Sequence, residues 1–313
     1  MRQAGAVTSG PAEDLLARQV VDSGAGLPQA SARVGGFEPT RWGAWPALGF
    51  AAVFFLLPLA IMVCVSFLPR GGGLFDSAWT LDNYVKFLTR PYLTSALYNS
   101  LQVSVAVTCF SLLIAYPFAY VLAFHVPARW QKILLVLAVL PFWTSYVVRS
   151  YSWLLVIGDN GVLNSWLLAM GATSEPIKIA YTRVATVLGF VHFFAMLLTL
   201  TIYANLSQIN PSYVKAARDL GAPFWRVLVH IILPLSLPGV MVGAFLTFVI
   251  TIGDYITPQI LGGNTELLLP QAIMLQIVRS ADFPMASVMS LVLMAVVAVV
   301  YLGVHRQMKM ERM

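Results

Sequence analysis

The sequence predicts an all-α integral membrane protein with six transmembrane helices. Two observations carry that reading. Hydrophobic residues make up 59% of the 313-residue chain and charged residues only 10%, where a soluble domain carries about 25% charged residues. Six apolar runs, separated by polar stretches marked with Gly and Pro, are each long enough to span a hydrocarbon core about 30 Å thick, which takes ~20 residues of helix.

The runs fall at 45–68, 101–124, 133–157, 184–206, 235–256 and 286–304. Pro58, Pro117 and Pro141 sit inside them; each removes a backbone donor and favours a kink. The third run carries Thr144, Ser145, Tyr146 and Arg149, so its second half is expected to face protein or water. Before the first run, residues 1–44 are polar and rich in Gly, Ala and Pro. No apolar stretch follows Met1, so this segment reads as a disordered cytoplasmic tail and not a signal peptide. Residues 45–304 form the membrane domain and 305–313 a second tail. Cys64 and Cys109 lie in apolar runs without metal-ligand spacing, and they read as small apolar side chains. No metal site is expected.

Charge sets the orientation. With the amino terminus inside, twelve of the 19 basic residues fall on inner segments. They are Arg2, Arg18, Arg33 and Arg41 in the tail, Arg129 and Lys132 in one inner loop, Lys215, Arg218 and Arg226 in the next, and Arg306, Lys309 and Arg312 at the end. Arg70, Lys86, Arg90, Arg149, Lys178, Arg183 and Arg279 fall outside. Basic residues concentrate on the cytoplasmic side of membrane proteins, so both termini are expected there. The net charge of +6 then reports topology and lipid contact, and does not call for nucleic acid. The outer loops are long enough for short helices, for example around residues 81–88.

The inner loop at 207–234 has the most specific local chemistry. Asn210-Pro211 is a helix start, a capping side chain before a proline at the first helical position. The helix continues through Lys215, Ala216, Ala217 and Asp219 and stops at Gly221, a natural residue for the position after a C-cap. Ala222-Pro223 restarts a second short helix holding Phe224 and Trp225, and Pro234 and Pro238 mark entry to the fifth span. The loop therefore reads as two short helices joined by a glycine elbow. On physical grounds alone, an interfacial loop anchored by Trp225 fits equally well.

This loop resembles the "EAA" loop of binding-protein-dependent ABC importers. Ala216, Ala217, Gly221, Ile231, Leu233 and Pro234 stand at the matching positions. Lys215 departs from the pattern, where an acid is usual. Tyr116-Pro117-Phe118-Ala119-Tyr120, the run from Leu140 to Ser145 with Arg149 after it, Arg218 to Ala222, and Thr257 to Gly263 are similar to the spermidine/putrescine permeases. The resemblance implies a type I ABC importer permease core and several partners. These are a homologous second permease subunit, a dimer of cytoplasmic ABC ATPase and a periplasmic solute-binding protein, all at a bacterial inner membrane. It assigns ATPase coupling to Lys215, Ala216, Ala217, Asp219, Gly221, Ala222 and Pro223. The chain has no Gly-x-x-x-x-Gly-Lys-Ser/Thr loop, so ATP is expected on the partner, with no cofactor on this subunit.

A pathway is sought among polar residues in the spans, because an ionisable group there costs about 2.5–3.5 kcal/mol on insertion scales and so faces a cavity or a partner. Gly243, Thr247, Thr251 and Asp254 recur at helical spacing, which makes Thr247, Thr251 and Asp254 candidate pathway residues. A capping or structural role for Asp254, paired with Arg149, is the alternative. Trp143 and Tyr146 are candidates for cation–π contact with a polyamine. Opine, thiamine or ferric ion are alternative solutes. An ion-coupled secondary transporter is the rival class, and it predicts paired intramembrane acids.

Overall fold

A computed structural model describes residues 44–71, 78–263 and 267–310 of the chain. Residues 1–43, which hold nearly all of the expected amino-terminal tail, and residues 311–313 lie outside the described residues. The regular structure among the described residues is entirely helical. The chain divides into two units, 1–58 and 59–313.

In the first unit, α1 (Ala44–Ala51) is followed by a π-turn at Ala52–Leu56. This turn closes with the Leu57 N–H on the Ala52 carbonyl, one residue before Pro58. The longer repeat makes room for a proline ring that would otherwise clash with the carbonyl four residues back. The same device appears in the second unit. A π-turn at Leu228–Ile232 closes with the Leu233 N–H on the Leu228 carbonyl, immediately ahead of Pro234.

Helix α2 (Leu57–Ser66) leads into the second unit, which continues with the short α3 (Asp82–Thr89). Asn83 of α3 is buried and its amide donates to the carbonyls of Ser66 and Leu68, 3.1 and 2.7 Å away. Carbonyls at the end of a helix have no partner within it, and this side chain supplies one. The helix expected near 81–88 is therefore present.

The core of the unit is built from three long helices: α4 (Pro91–Phe124), α8 (Arg183–Leu206) and α11 (Leu233–Gly253). Between α4 and α8 lie α5 (Ala128–Val139), α6 (Tyr146–Ile157) and α7 (Val162–Ala169). Ala115, Ala119, Leu198, Ile202 and Val240 are buried where the three long helices meet. Small residues allow close approach. A Cβ on Gly243 would lie 2.8 Å from Leu198, and one on Gly239 would lie 2.6 Å from the Cβ of Asn205. Lipid offers no hydrophobic drive for helix association, so close packing of small residues supplies it. After α11, α12 (Leu269–Val278) and α13 (Phe283–Met310) complete the fold.

Among the described residues, five helical segments are long and apolar enough to cross a membrane, and a sixth crossing arises if one bent pair counts as a span. That pair corrects the third expected span. It is not a continuous helix over 133–157 but two arms, Ala128–Trp143 and Tyr146–Ala169, bent by 96°. A 3-10 turn at Leu140–Trp143 carries Pro141, Thr144 is extended, and Ser145, at φ −57° and ψ 135°, is non-helical. The fifth span also differs. Helix α10 (Phe224–Val227) is not separate from it but runs through the π-turn into α11, giving one helical segment of 30 residues, Phe224–Gly253.

Candidate coupling elbow and pathway cluster

The elbow is built by local chemistry. In α9 (Pro211–Asp219), the Asn210 side chain accepts from the Ser212 N–H at 2.9 Å and Pro211 occupies the first turn. At the other end Gly221 has φ +79°. Its N–H donates to the Arg218 carbonyl at 2.8 Å, and the Ala222 N–H donates to the Ala217 carbonyl at 3.0 Å. This pair of bonds is a Schellman motif, which needs a left-handed residue that glycine supplies without a steric penalty. The Pro223 carbonyl then accepts from Arg226 and Val227 and starts α10.

One side of the elbow is seated on the helical core and the other is open. Val214, Ala217 and Ala222 pack against the cluster around Ile202 and Leu206. Lys215, Ala216, Arg218, Asp219 and Pro223 are exposed. Leu220 is 89% exposed and Trp225 71% exposed on either side of Gly221. An apolar pair standing out from a charged loop suits a protein docking surface and a membrane interface alike.

Residues outside the loop support it. Tyr120 of α4 packs edge-on against Phe224, with centroids 5.9 Å apart, and also touches His125. Four residues earlier, the Tyr116 hydroxyl lies 3.1 Å from the Ser236 hydroxyl of α11. The tyrosines at each end of the Tyr116–Tyr120 motif thus hold the second span to the helix that leaves the elbow. Their signal in the sequence was the motif itself, which carried no contact information.

The pathway candidates divide into two groups. Tyr146 and Asp254 meet: the Tyr146 hydroxyl donates to Asp254 Oδ2 at 2.6 Å. Helix α11 ends at Gly253, so Asp254 is extended and does not continue the helical face. Its carboxylate accepts from the N–H of Ile256 at 2.9 Å and of Thr257 at 3.3 Å, capping the turn that leads into Pro258–Gly262. Thr247 and Thr251 are 0% and 2% exposed, and Thr251 donates back to the Thr247 carbonyl. Both are enclosed by this subunit in this structure. Trp143 is apart from them, 87% exposed at the bend.

Arg149 does not pair with Asp254. Among the described residues, the side-chain ion pairs within 4 Å are Arg70–Asp282 and Lys86–Asp82. Arg149 instead donates to the Pro141 carbonyl at 3.2 Å and lies over the rings of Phe193 and Tyr146, 4.2 and 4.8 Å from their centroids. Phe193 also packs on Phe142, so it is a hub that sequence reasoning missed. Among the described residues, no group of three His, Cys, Asp or Glu side chains is placed to hold a metal ion.

Residues 115–309 match the family of binding-protein-dependent transport system inner membrane components. The chain belongs to this family. The permease is 34% identical over 252 residues to the spermidine/putrescine transport system permease protein PotB of Haemophilus influenzae, covering 79% of this chain and 87% of the relative. PotB of Escherichia coli is 31% identical over 256 residues, covering 82% and 92%. A putative 2-aminoethylphosphonate permease, PhnU of Salmonella typhimurium, is 24% identical over 258 residues, covering 82% and 87%. Among solved structures, the permease superposes on a chain of an alginate ABC importer with a TM-score of 0.68 at 17% identity, covering 87% and 95%. It superposes on a chain of the MetNI methionine transporter with a TM-score of 0.55 at 14% identity, covering 72% and 98%. These structural likenesses establish the fold, and the family match with the identity to PotB permeases makes the chain a type I ABC importer permease. Family membership sets the permease apart from ion-coupled secondary transporters and makes it a multi-pass inner-membrane component.

Proposed function

We propose that this permease forms half of the translocation pathway of an ATP-driven importer for polyamines of the spermidine/putrescine class. The observation that carries the solute is the 31–34% identity to PotB permeases over about four-fifths of the chain. The partners are a homologous second permease, two copies of a cytoplasmic ABC ATPase that bind the ATP, and a periplasmic solute-binding protein. The structural neighbours include an alginate transporter in complex with its loaded periplasmic protein, which supports an assembly of this kind. The permease has no ATP site of its own and both termini are cytoplasmic, in keeping with the basic-residue asymmetry.

Coupling runs through the elbow. Lys215, Ala216, Asp219, Gly221 and Pro223, with Leu220 and Trp225, face the ATPase, while Ala217 and Ala222 seat the loop on the permease core. Lys215 gives this surface a positive charge where an acid is usual, so its counterpart on the ATPase differs from that of relatives. ATP binding draws the ATPases together, carries the elbows with them and opens the pore outward. Swinging such an equilibrium from 1:99 to 99:1 takes about 5.5 kcal/mol of differential binding.

In the pathway, Asp254 supplies a carboxylate and Trp143 and Tyr146 supply aromatic faces for an ammonium chain. Thr247 and Thr251 support the helix that carries Asp254 and join the pathway only if it opens on that side. Uptake of labelled spermidine by cells making all the components tests the solute. Competition by putrescine, and none by thiamine, an opine or ferric ion, is expected. Competition by one of those three in place of putrescine would reassign it.

A further inference from the structure

The two ends of the fifth span carry different machinery. The elbow precedes Phe224, and Asp254 follows Gly253. The 30 residues between them form one helical segment, with the π-turn and Pro238 inside it, about 45 Å long at 1.5 Å per residue. Displacement of the elbow along this rod therefore reaches Asp254. The Asp254 N–H donates back to the Thr251 carbonyl of the helix at 3.4 Å, and the Ile256 and Thr257 N–H groups hold the carboxylate on the turn that follows, so the carboxylate is tied to the end of the segment.

At that point the rod meets the bent span. Tyr146 is the first residue of α6, directly after the non-helical pair Thr144-Ser145. Its hydroxyl bonds to Asp254, while its ring packs on Phe193 of α8. The bend has its own clamp, because the Pro141 carbonyl accepts from the Thr144 N–H, the Thr144 hydroxyl and Arg149. The Thr257 side chain is a second hydrogen-bonding neighbour of the Tyr146 hydroxyl, and apolar contacts also join α6 to the segment after Asp254, through Trp153, Leu154 and Leu261. Such contacts are non-directional. A hydrogen bond to a carboxylate is directional and stronger than a neutral one.

We infer that Tyr146 is a positioning residue through which movement of the elbow reaches the bent span, and that its hydroxyl's bond to Asp254 is the link. Only the link's use in ATP-driven import rests on the function proposed above. Elbow movement pulls the carboxylate, the carboxylate pulls the start of α6, and the angle at Thr144-Ser145 changes.

The test reads that angle. Spin labels at cysteines replacing Val136 and Leu155, exposed residues on the two arms, report the distance across the bend, in a background carrying Cys64→Ala and Cys109→Ala. The permease is reconstituted in proteoliposomes with its sister permease, ATPase and binding protein. Adding ATP with vanadate is expected to shift the distance, and Tyr146→Phe to abolish the shift. Spermidine uptake per ATP hydrolysed falls about tenfold in that variant, on the scale of losing a hydrogen bond to a charged acceptor. Asp254→Leu removes the acceptor and abolishes the shift as well, and the double variant is no worse than either alone. Asp254→Asn keeps an acceptor oxygen, so the shift persists. If Tyr146→Phe does not assemble, Asp254→Leu decides. An undiminished shift in Tyr146→Phe or Asp254→Leu overturns the inference, as does the absence of any ATP-dependent shift in the unaltered complex. A normal shift without spermidine uptake in the unaltered complex instead removes the solute, and the link is still decided by the two variants.

Discussion

Tyr120 and Phe224 pack edge-on, 5.9 Å between ring centroids, and so join the carboxyl-terminal end of α4 to the first residue of the helix that leaves the elbow. Aromatic pairs in this geometry contribute about 0.5–1.5 kcal/mol beyond the area they bury. Tyr120→Ala is expected to loosen the elbow and to weaken co-purification of the ATPase severalfold, while Tyr120→Phe, which keeps the ring, is expected to match the unaltered protein. Equal recovery of ATPase with Tyr120→Ala would detach this contact from coupling.

Gly221 offers a second handle on the same loop. A Cβ there meets open space, yet φ is +79°, so the cost of a side chain is conformational, roughly 1–2 kcal/mol. Gly221→Asn should be tolerated and Gly221→Val should not, because a β-branched residue at positive φ is a genuine outlier. The readout is ATPase binding by permease that has inserted normally. Equal binding by both variants would mean that the turn is not needed for docking.

Close helix approach predicts a stability difference between two glycines of α11. A Cβ on Gly239 would press on the Cβ of Asn205, which cannot move away, whereas one on Gly243 would meet the end of the Leu198 side chain. Overpacking costs typically ~1–3 kcal/mol. Gly239→Ala is therefore expected to lower the melting temperature in detergent more than Gly243→Ala. The reverse order would contradict the helix register.

Orientation is tested by labelling. Ser207 and Asn160 are both exposed, on opposite sides of the membrane by the charge asymmetry. In cells lacking other reactive cysteines in this protein, an impermeant thiol reagent should label Asn160→Cys and not Ser207→Cys. The opposite pattern would invert the topology.

These sites were legible in the sequence to different degrees, for physical reasons. The elbow was readable because Asn210, Pro211 and Gly221 act on their own backbone within a few residues. The bend at Thr144-Ser145 was not, since an apolar run averages over two small polar residues, and hydropathy carries no angle. The continuous Phe224–Gly253 helix was missed because Pro234 reads as a boundary, and the π-turn that absorbs it has no composition of its own. Asp254 was found as the acid near a span interior, but helical spacing was extended one residue past the end of the helix. The small polar face of Thr247 and Thr251 is as compatible with a neighbouring helix as with water, and the structure encloses it.

The charge of Asp254 separates solute attraction from structure. Asp254→Asn keeps size and a bond acceptor but removes the charge, and a carboxylate attracts a polycation most strongly where water is scarce. Uptake of spermidine should slow in this variant without loss of expression or ATPase assembly, while Leu291→Ala should have little effect. Normal uptake by Asp254→Asn would leave the residue as a cap and an acceptor for Tyr146, with no role in attracting the solute.

The proposed function is import of a polyamine only as part of an ATP-driven assembly coupled through the elbow. Its most direct measurement is labelled-spermidine accumulation in proteoliposomes holding the permease with its sister permease, ATPase and loaded binding protein. ATP-dependent accumulation that disappears when the ATPase is omitted, and that Gly221→Val strongly reduces, is the predicted result. Accumulation driven by an ion gradient through the permease alone would contradict it.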